Sequence, residues 1–371
     1  MPTPPRGAGL RTAREVVIGP PVALDVDRSR EPAVVQAQLD ARLRALAAGW
    51  AGAADGSATA VPTPAEPIRR WRLLSSLGRT DLTLARLAEG HLDALAILAE
   101  AGQRPQTAAV YGVWASASGG TGLAAARGTD GWTLDGLLRF CSGAPILDRA
   151  LVTARDSADG LLLLDVDLHD EGITAVPGSW PAVGMDASAS LDVRVAAVRL
   201  GEGDVVGGLG FYLERAGLPI GGLGVAAVWL GGAQGLLDSA IRHLSQRAPD
   251  EHQLAHLGAV AAALESAAST LLHIAESLRR SDVDPDTGLP AAPWEELGDK
   301  ALLGRSAVEA AVAVALERLP RVVGPVVLCH DGDFAHQLAD LTVYVRQHHA
   351  ERDLARLGRL ELAGAAVKRR V

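Results

Sequence analysis

Between Ala108 and about Val206, helical spacing of apolar residues gives way to short apolar runs cut by Gly, Asp and Pro. No other feature of the chain constrains its fold as much. Runs such as "RALVTARD", "GLLLLDVDL" and "SLDVRVAAVRLG" are too short for stable helices and follow one another at the spacing of strands in a sandwich or barrel. Helical patterns flank them. In "EPAVVQAQLDARLRALAAGW" the residues Val35, Leu39, Leu43 and Leu46 share one face. "LTLARLAEGHLDALAILAEAG" is a second helix, with Gly102 placed to end it. The first 27 residues look irregular, and "GAADGSATAVPTPAEP" reads as a loop. Beyond Gly210, "DEHQLAHLGAVAAALESAASTLLHIAESLRR" carries Leu254, Leu257, Leu264, Leu271, Leu272 and Leu278 along one stripe. Asp250 is its N-cap, with Gln253 at the capping-box position. The segment "SDVDPDTGLPAAP" reads as a linker, followed by a helix opening at Trp294 and another from about Phe334 to Leu362. The expected architecture is α+β multidomain. It has an N-terminal helical domain (1–107), a central β-barrel or sandwich domain (108–208) and a C-terminal helical bundle (209–371).

The formal net charge of -9 argues against nucleic acid as a partner, because phosphate binding needs clustered Lys and Arg. The run Gly217 to Leu237 has no charges and approaches the roughly 20 residues a membrane span needs. Its Gly and Ala content, and the amphipathic segments after it, identify a buried bundle helix instead, so no membrane association is expected. The N-terminus, "MPTPPRGAGLRTAREVV", lacks the apolar core of a signal peptide. The cysteines, Cys141 and Cys329, cannot build a disulfide framework, which points to a cytoplasmic setting.

The stretch "GTDGWTLDGLLRFCSGAP", Gly128 to Pro145, raises the functional question. Its Asp130-Gly131 and Asp135-Gly136 pairs read as turns. The hairpin they define delivers Phe140 and Ser142 at its end. Together with "VYGVWAS", "WPAVGMDASASLDVRV", "GVAAVWLGGAQGLLDSA" and "RQHHAERDLARLG", in that order from about Leu82 onward, this stretch resembles the acyl-CoA dehydrogenase superfamily of flavoproteins. The resemblance implies FAD as cofactor. It implies Phe140 packed on the flavin ring, Ser142 near its reactive edge, and Trp114 and Ser116 on another wall. Arg247 would reach the pyrophosphate across a subunit interface, in a homodimer or homotetramer.

The reaction this implies takes a proton from the carbon beside an acyl thioester and passes a hydride to FAD, which requires a carboxylate base in a dry site. One family position for that base falls here at Gly221, which has no side chain. The other falls at Ala339 or Asp340, making Asp340 the candidate base. Asp186 stands where an arginine often follows the Gly-Met signature. The segment "RQHHAERD" supplies a second candidate, His349, four residues from Asp353 on one helical face. Some members of the superfamily are monooxygenases that take reduced flavin from a reductase and use a His near the ring. The readings are therefore a dehydrogenase with an electron-transfer partner, a monooxygenase fed by a flavin reductase, or a catalytically degenerate member with no enzymatic role.

Other patterns carry less. Gly120-x-Gly122-x-x-Ala125 approaches a dinucleotide fingerprint, but no βαβ unit follows it. Asp282 to Gly288 resembles a calcium loop with its Gly misplaced and Pro293 at the twelfth position. His330, Asp331, Asp333 and His336 match no metal spacing, and no metal is expected.

Overall fold

A computed structural model describes residues 12–24, 26–28, 31–52, 66–116, 121–246, 248–280 and 293–368. The loop expected after Gly52, the linker with its calcium-like spacing, the glycines before Thr121 and Arg247 lie, wholly or in large part, outside the described residues.

Helices come first. The segment expected to be irregular contains a one-turn helix α1 (Ala13–Val17), held by a reciprocal capping box between Thr12 and Glu15. Then follow α2 (Pro32–Gly52), α3 (Pro67–Thr80) and α4 (Leu82–Glu100). Asp81 caps α4 by accepting from Leu84 N–H at 2.8 Å, and Gly102 closes it in a left-handed conformation. Most of α4 is buried, including the polar residues Glu89 and His91.

Seven strands form one mixed, curled sheet: β1 (Tyr111–Trp114), β2 (Gly122–Arg127), β3 (Trp132–Cys141), β4 (Arg149–Arg155), β5 (Leu161–Asp167), β6 (Ile173–Val176) and β7 (Leu191–Leu200). β4 pairs antiparallel with β5 on one side and parallel with β1 and β2 on the other. β2, β3, β7 and β6 continue as an antiparallel run. The turn at Asp130-Gly131 forms as read, joining β2 to β3. Asp135-Gly136 does not turn the chain. It sits within β3, where the register against β7 shifts between Leu134 and Gly136, and Asp135 accepts Ala197 N–H at 2.9 Å. The two short runs are therefore a single bulged strand, because the Asp-Gly pair is spent on a bulge.

After α5 (Phe211–Glu214) comes the bundle: α6 (Gly217–Leu244), α7 (Glu251–Arg280), α8 (Trp294–His330), α9 (Gly332–Tyr344) and α10 (Glu351–Lys368). The charge-free run lies in α6, whose most apolar window is 94% buried against the neighbouring helices. Its glycines allow close approach: a Cβ on Gly231 would lie 2.1 Å from the Ser75 carbonyl oxygen of α3. Asp250 and Gln253 form the expected reciprocal cap, at 2.8 and 3.2 Å. The helix read from Phe334 to Leu362 is instead α9 and α10, separated by a 3-10 turn (Val345–Gln347) and a bend at His348–Ala350, where Ala350 has φ 42°.

Candidate active site

A cavity of about 580 Å3 opens where the ends of β1 and β3 meet α9 and the bend after it. Trp114 and Ser116 from the end of β1 line it, as do Phe140 and Ser142 from the end of β3. The sequence-predicted wall residues thus surround one space. A second register shift, between Leu138 and Cys141, frees Phe140 from pairing and turns its ring outward. Phe140 has φ 60°, a left-handed conformation costly for an aromatic residue, and remains 49% exposed. Its ring meets Trp180 edge-on, with centroids 6.3 Å apart. Trp114 Nε1 donates to the Ser142 carbonyl at 3.1 Å, locking the ends of β1 and β3 together.

The Ser142 hydroxyl belongs to a chain of serines. Ser142 Oγ and Ser190 Oγ are 2.8 Å apart, Ser190 Oγ and Ser188 Oγ are 2.8 Å apart, and Ser188 Oγ donates to the Met185 carbonyl at 2.6 Å. A carbonyl only accepts, so the Ser188 proton is committed to it. Ser190 then donates to Ser188, and Ser142 to Ser190. Ser142 is left with acceptor lone pairs for the cavity, beside the aromatic rings. A flat apolar wall with a fixed polar group at its edge is what a flavin ring requires of a protein, so these residues fit one.

Asp340 is not in this cavity. It is 2% exposed on α9, where its Oδ1 accepts Met185 N–H at 2.5 Å and its Oδ2 meets Arg28 at 3.2 Å. Arg28 also holds Asp81 at 3.0 Å and Asp186 at 2.9 Å. Burial pushes the Asp340 carboxyl up to about 7, against the pull of Arg28. The Gly-Met turn is pressed on this helix: a Cβ on Gly184 would lie 2.1 Å from the Ala339 carbonyl oxygen. Asp340 therefore anchors the turn that carries Met185, with its oxygens engaged by Met185 N–H and Arg28. The Asp186 that replaces an arginine also belongs to this anchor.

His349 does line the cavity. It stands on the bend before α10, 59% exposed, with Nδ1 3.7 Å from Asp353 Oδ2. Its relation to Asp353 is not that of two residues on one helical face; Asp353 instead accepts the His349 backbone N–H at 3.1 Å, fixing the bend. His348, the neighbouring residue, is buried. Its Nδ1 accepts Ala350 N–H at 3.1 Å, so Nε2 carries the proton and donates to Ser306 Oγ at 3.0 Å. Burial lowers its pKa, keeping the ring neutral. Arg305 of α8 secures the same bend through the Gln347 carbonyl at 3.1 Å.

Sequence reading missed the floor of the cavity. Arg86 of α4, Tyr212 of α5 and Tyr344 of α9 line it. Behind them, Glu89 accepts from Arg86 Nη1 at 2.6 Å and from Tyr344 OH at 3.4 Å. The available signal was the pair of charges Arg86 and Glu89, three residues apart on the mostly apolar α4. Trp180, Met185, Ser188 and Ser190 fall inside the quoted Gly-Met stretch, yet only the fold brings them to the wall.

No family model matches the chain. Among curated proteins it is similar to a 3-(aryl)acrylate reductase of Clostridium sporogenes, 29% identical over 151 residues, 39% of this chain and 40% of that protein. It is also similar to a caffeyl-CoA reductase-Etf complex subunit of Acetobacterium woodii, 28% identical over 162 residues, covering 42% of each. The match thus spans under half the length of these relatives. Solved structures align over far more. TdsC of Paenibacillus, determined with FMN and indole, covers 89% of this chain and 90% of its own at TM-score 0.74 and 19% identity. Methanesulfinate monooxygenase of Pseudomonas fluorescens covers 90% of each at TM-score 0.72 and 22% identity. The architecture is the acyl-CoA dehydrogenase fold.

Proposed function

We propose that this chain is a flavin-dependent oxidoreductase that binds FAD with its ring in the cavity between β1, β3 and α9, and acts on an acyl thioester. The observation that carries the reading is the pairing of a strained, outward-facing Phe140 with the serine chain ending at Ser142. The flavin supplies hydride chemistry when bound. Phe140, Trp114 and Trp180 offer it a flat apolar contact, and Ser142 an acceptor at its edge. Ser116, on the cavity wall, belongs to the same set, and Arg247 is the candidate for the pyrophosphate. The names of the curated relatives, an acrylate reductase and a caffeyl-CoA reductase, support a conjugated acyl substrate and electron exchange with a separate protein. The apolar α7, with only 33% of its most apolar window buried within the protomer, supports assembly as a homodimer or larger homo-oligomer. Its setting is cytoplasmic.

A second reading has a specific observation behind it. Among the described residues no carboxylate lines the cavity, whereas His349 does. A monooxygenase fed with reduced flavin needs a proton donor there, and His349 provides one. The two readings separate in a pair of experiments, one without oxygen and one with it. Bleaching of the bound flavin by an arylpropionyl thioester identifies the dehydrogenase. Absence of bleaching, with oxygen uptake once reduced flavin is supplied and its loss in His349→Ala, identifies the monooxygenase.

A further inference from the structure

The cavity lacks a carboxylate among the residues that line it, yet one lies a single side chain behind. Glu89 is 3% exposed and touches two groups that do face the cavity, Arg86 and Tyr344, through the same oxygen, Oε2. On its other side it shares a hydrogen bond with Asp93, one helical turn on, and Asp93 is paired to Arg70 of α3 at 2.7 Å. A second carboxyl this close in a buried setting disfavours the ionised form of Glu89, which Arg86 favours. Tyr212 of α5, with Arg215 beside it, and Arg305 of α8 also face this cluster. Burial is the largest influence on Glu89 and lifts its carboxyl to about 7, while Arg86 opposes it. Tyr344 is itself held well above the usual phenol range, so it stays a neutral hydroxyl, able to pass a proton along without storing it.

We propose that Glu89 is the proton-holding residue of the candidate active site, exchanging its proton with the cavity through the Tyr344 hydroxyl. The proposal rests on the flavin reading above. In the oxidative direction, a proton leaving the substrate carbon goes to the Tyr344 oxygen as the Tyr344 proton moves to Glu89 Oε2. The electron pair left on that carbon would form the new double bond to the adjacent carbon, as the adjacent carbon's C–H pair leaves as hydride to a bound flavin. Glu89, ionised at the outset, gains that proton and returns it to solvent by the reverse route once product has left. In the reductive direction the same path delivers the proton. Glu89 acts through Tyr344 and is a positioning residue. The absence of a carboxylate base on the cavity wall then ceases to be a defect.

The test uses Glu89→Gln, which keeps the shape and the contact to Arg86, and Tyr344→Phe, which keeps the ring. Infrared spectra of the protein alone, recorded against pH, report protonated buried carboxyls. Asp340 contributes a titration in the same range, so Asp340→Asn is measured beside them. The expected result is a carbonyl band titrating near neutrality that Glu89→Gln removes, Asp340→Asn leaves and Tyr344→Phe moves to a new midpoint. With FAD and a 3-phenylpropionyl thioester, flavin reduction should slow on the order of 100-fold in both variants. Glu89→Gln should also lose the neutral limb of the pH profile. A band untouched by Glu89→Gln, a midpoint unmoved by Tyr344→Phe, or an unchanged pH profile overturns the relay. Failure to retain flavin sinks the flavin reading alone, because the infrared arm still decides whether Glu89 and Tyr344 are coupled.

Discussion

Phe140 and Ser142 show how single residues are forced into the site. Phe140 adopts a left-handed backbone because the bulge ending β3 leaves it unpaired, and its ring gains a place on the cavity wall. Half-exposed, it contributes little to the core, so Phe140→Ala should leave the melting temperature within a degree or two while weakening flavin retention about tenfold, read by fluorescence titration. In the proposed flavin site, Ser142 would act through its direction as an acceptor. An acceptor suits the N–H that a reduced flavin carries on its central ring and an oxidised flavin lacks. Ser142→Ala should therefore weaken reduced flavin more than oxidised, lowering the midpoint potential of the bound flavin relative to wild type. Equal loss of both forms would show that the serine chain does not orient its proton as described.

At the scale of elements, the site depends on the docking of turns and strands against helices. Met185 is held on α9 by Asp340, and Gly184 leaves no room for a Cβ there. Gly184→Ala should cost about 1–3 kcal/mol in denaturant unfolding, since the atom it meets is backbone and cannot rotate away. β1 is fixed to α4 by His91, whose Nδ1 accepts Tyr111 N–H at 3.2 Å while its ring stacks on Trp50 with centroids 6.1 Å apart. Burial lowers the His91 pKa from 6.5 to about 4, partly resisted by Asp148. The unfolded chain binds this proton more readily, so its contribution is complete above pH 6.5 and is lost as pH falls toward 4. The loss is on the order of 3 kcal/mol. Asn at this position presents an acceptor in place of Nδ1 without titrating, so unfolding of His91→Asn should lack that part of the acid dependence. Helix and strand textures were legible in the sequence because burial imposes their periods directly. The identity of the wall residues on β1 and β3 was legible as well. The surroundings of Asp340 and His349 were not, because spacing along one segment says nothing about what other segments bring: Arg28 from the N-terminal stretch and Met185 from the β domain claim Asp340, and a bend takes His349 and Asp353 off a common helical face. Arg86, Glu89 and Tyr344 were missed for the same reason.

On the scale of the whole molecule, two buried carboxyls, Glu89 and Asp340, titrate near 7 at separate places around α9. Each is more easily protonated folded than unfolded. Their effect is therefore to reduce stability as pH rises from about 4.5 toward 7, the reverse of His91 over much of the same window. Denaturant unfolding at pH 5 and pH 8 should show the penalty at pH 8 relieved in Asp340→Asn, provided Met185 N–H keeps an acceptor. The arrangement of helices, curled sheet and bundle gathers β1, β3, α4 and α9 around one cavity, and the functional account stands on that cavity holding a flavin. The most direct measurement is the visible spectrum of the purified protein after incubation with FAD, in oxidised and in dithionite-reduced form, followed by removal of the excess. The account predicts a retained flavin band that diminishes in Phe140→Ala and Ser142→Ala. No retained flavin in either redox state would contradict it and leave Phe140 and Ser142 as the ordinary end of a bulged strand.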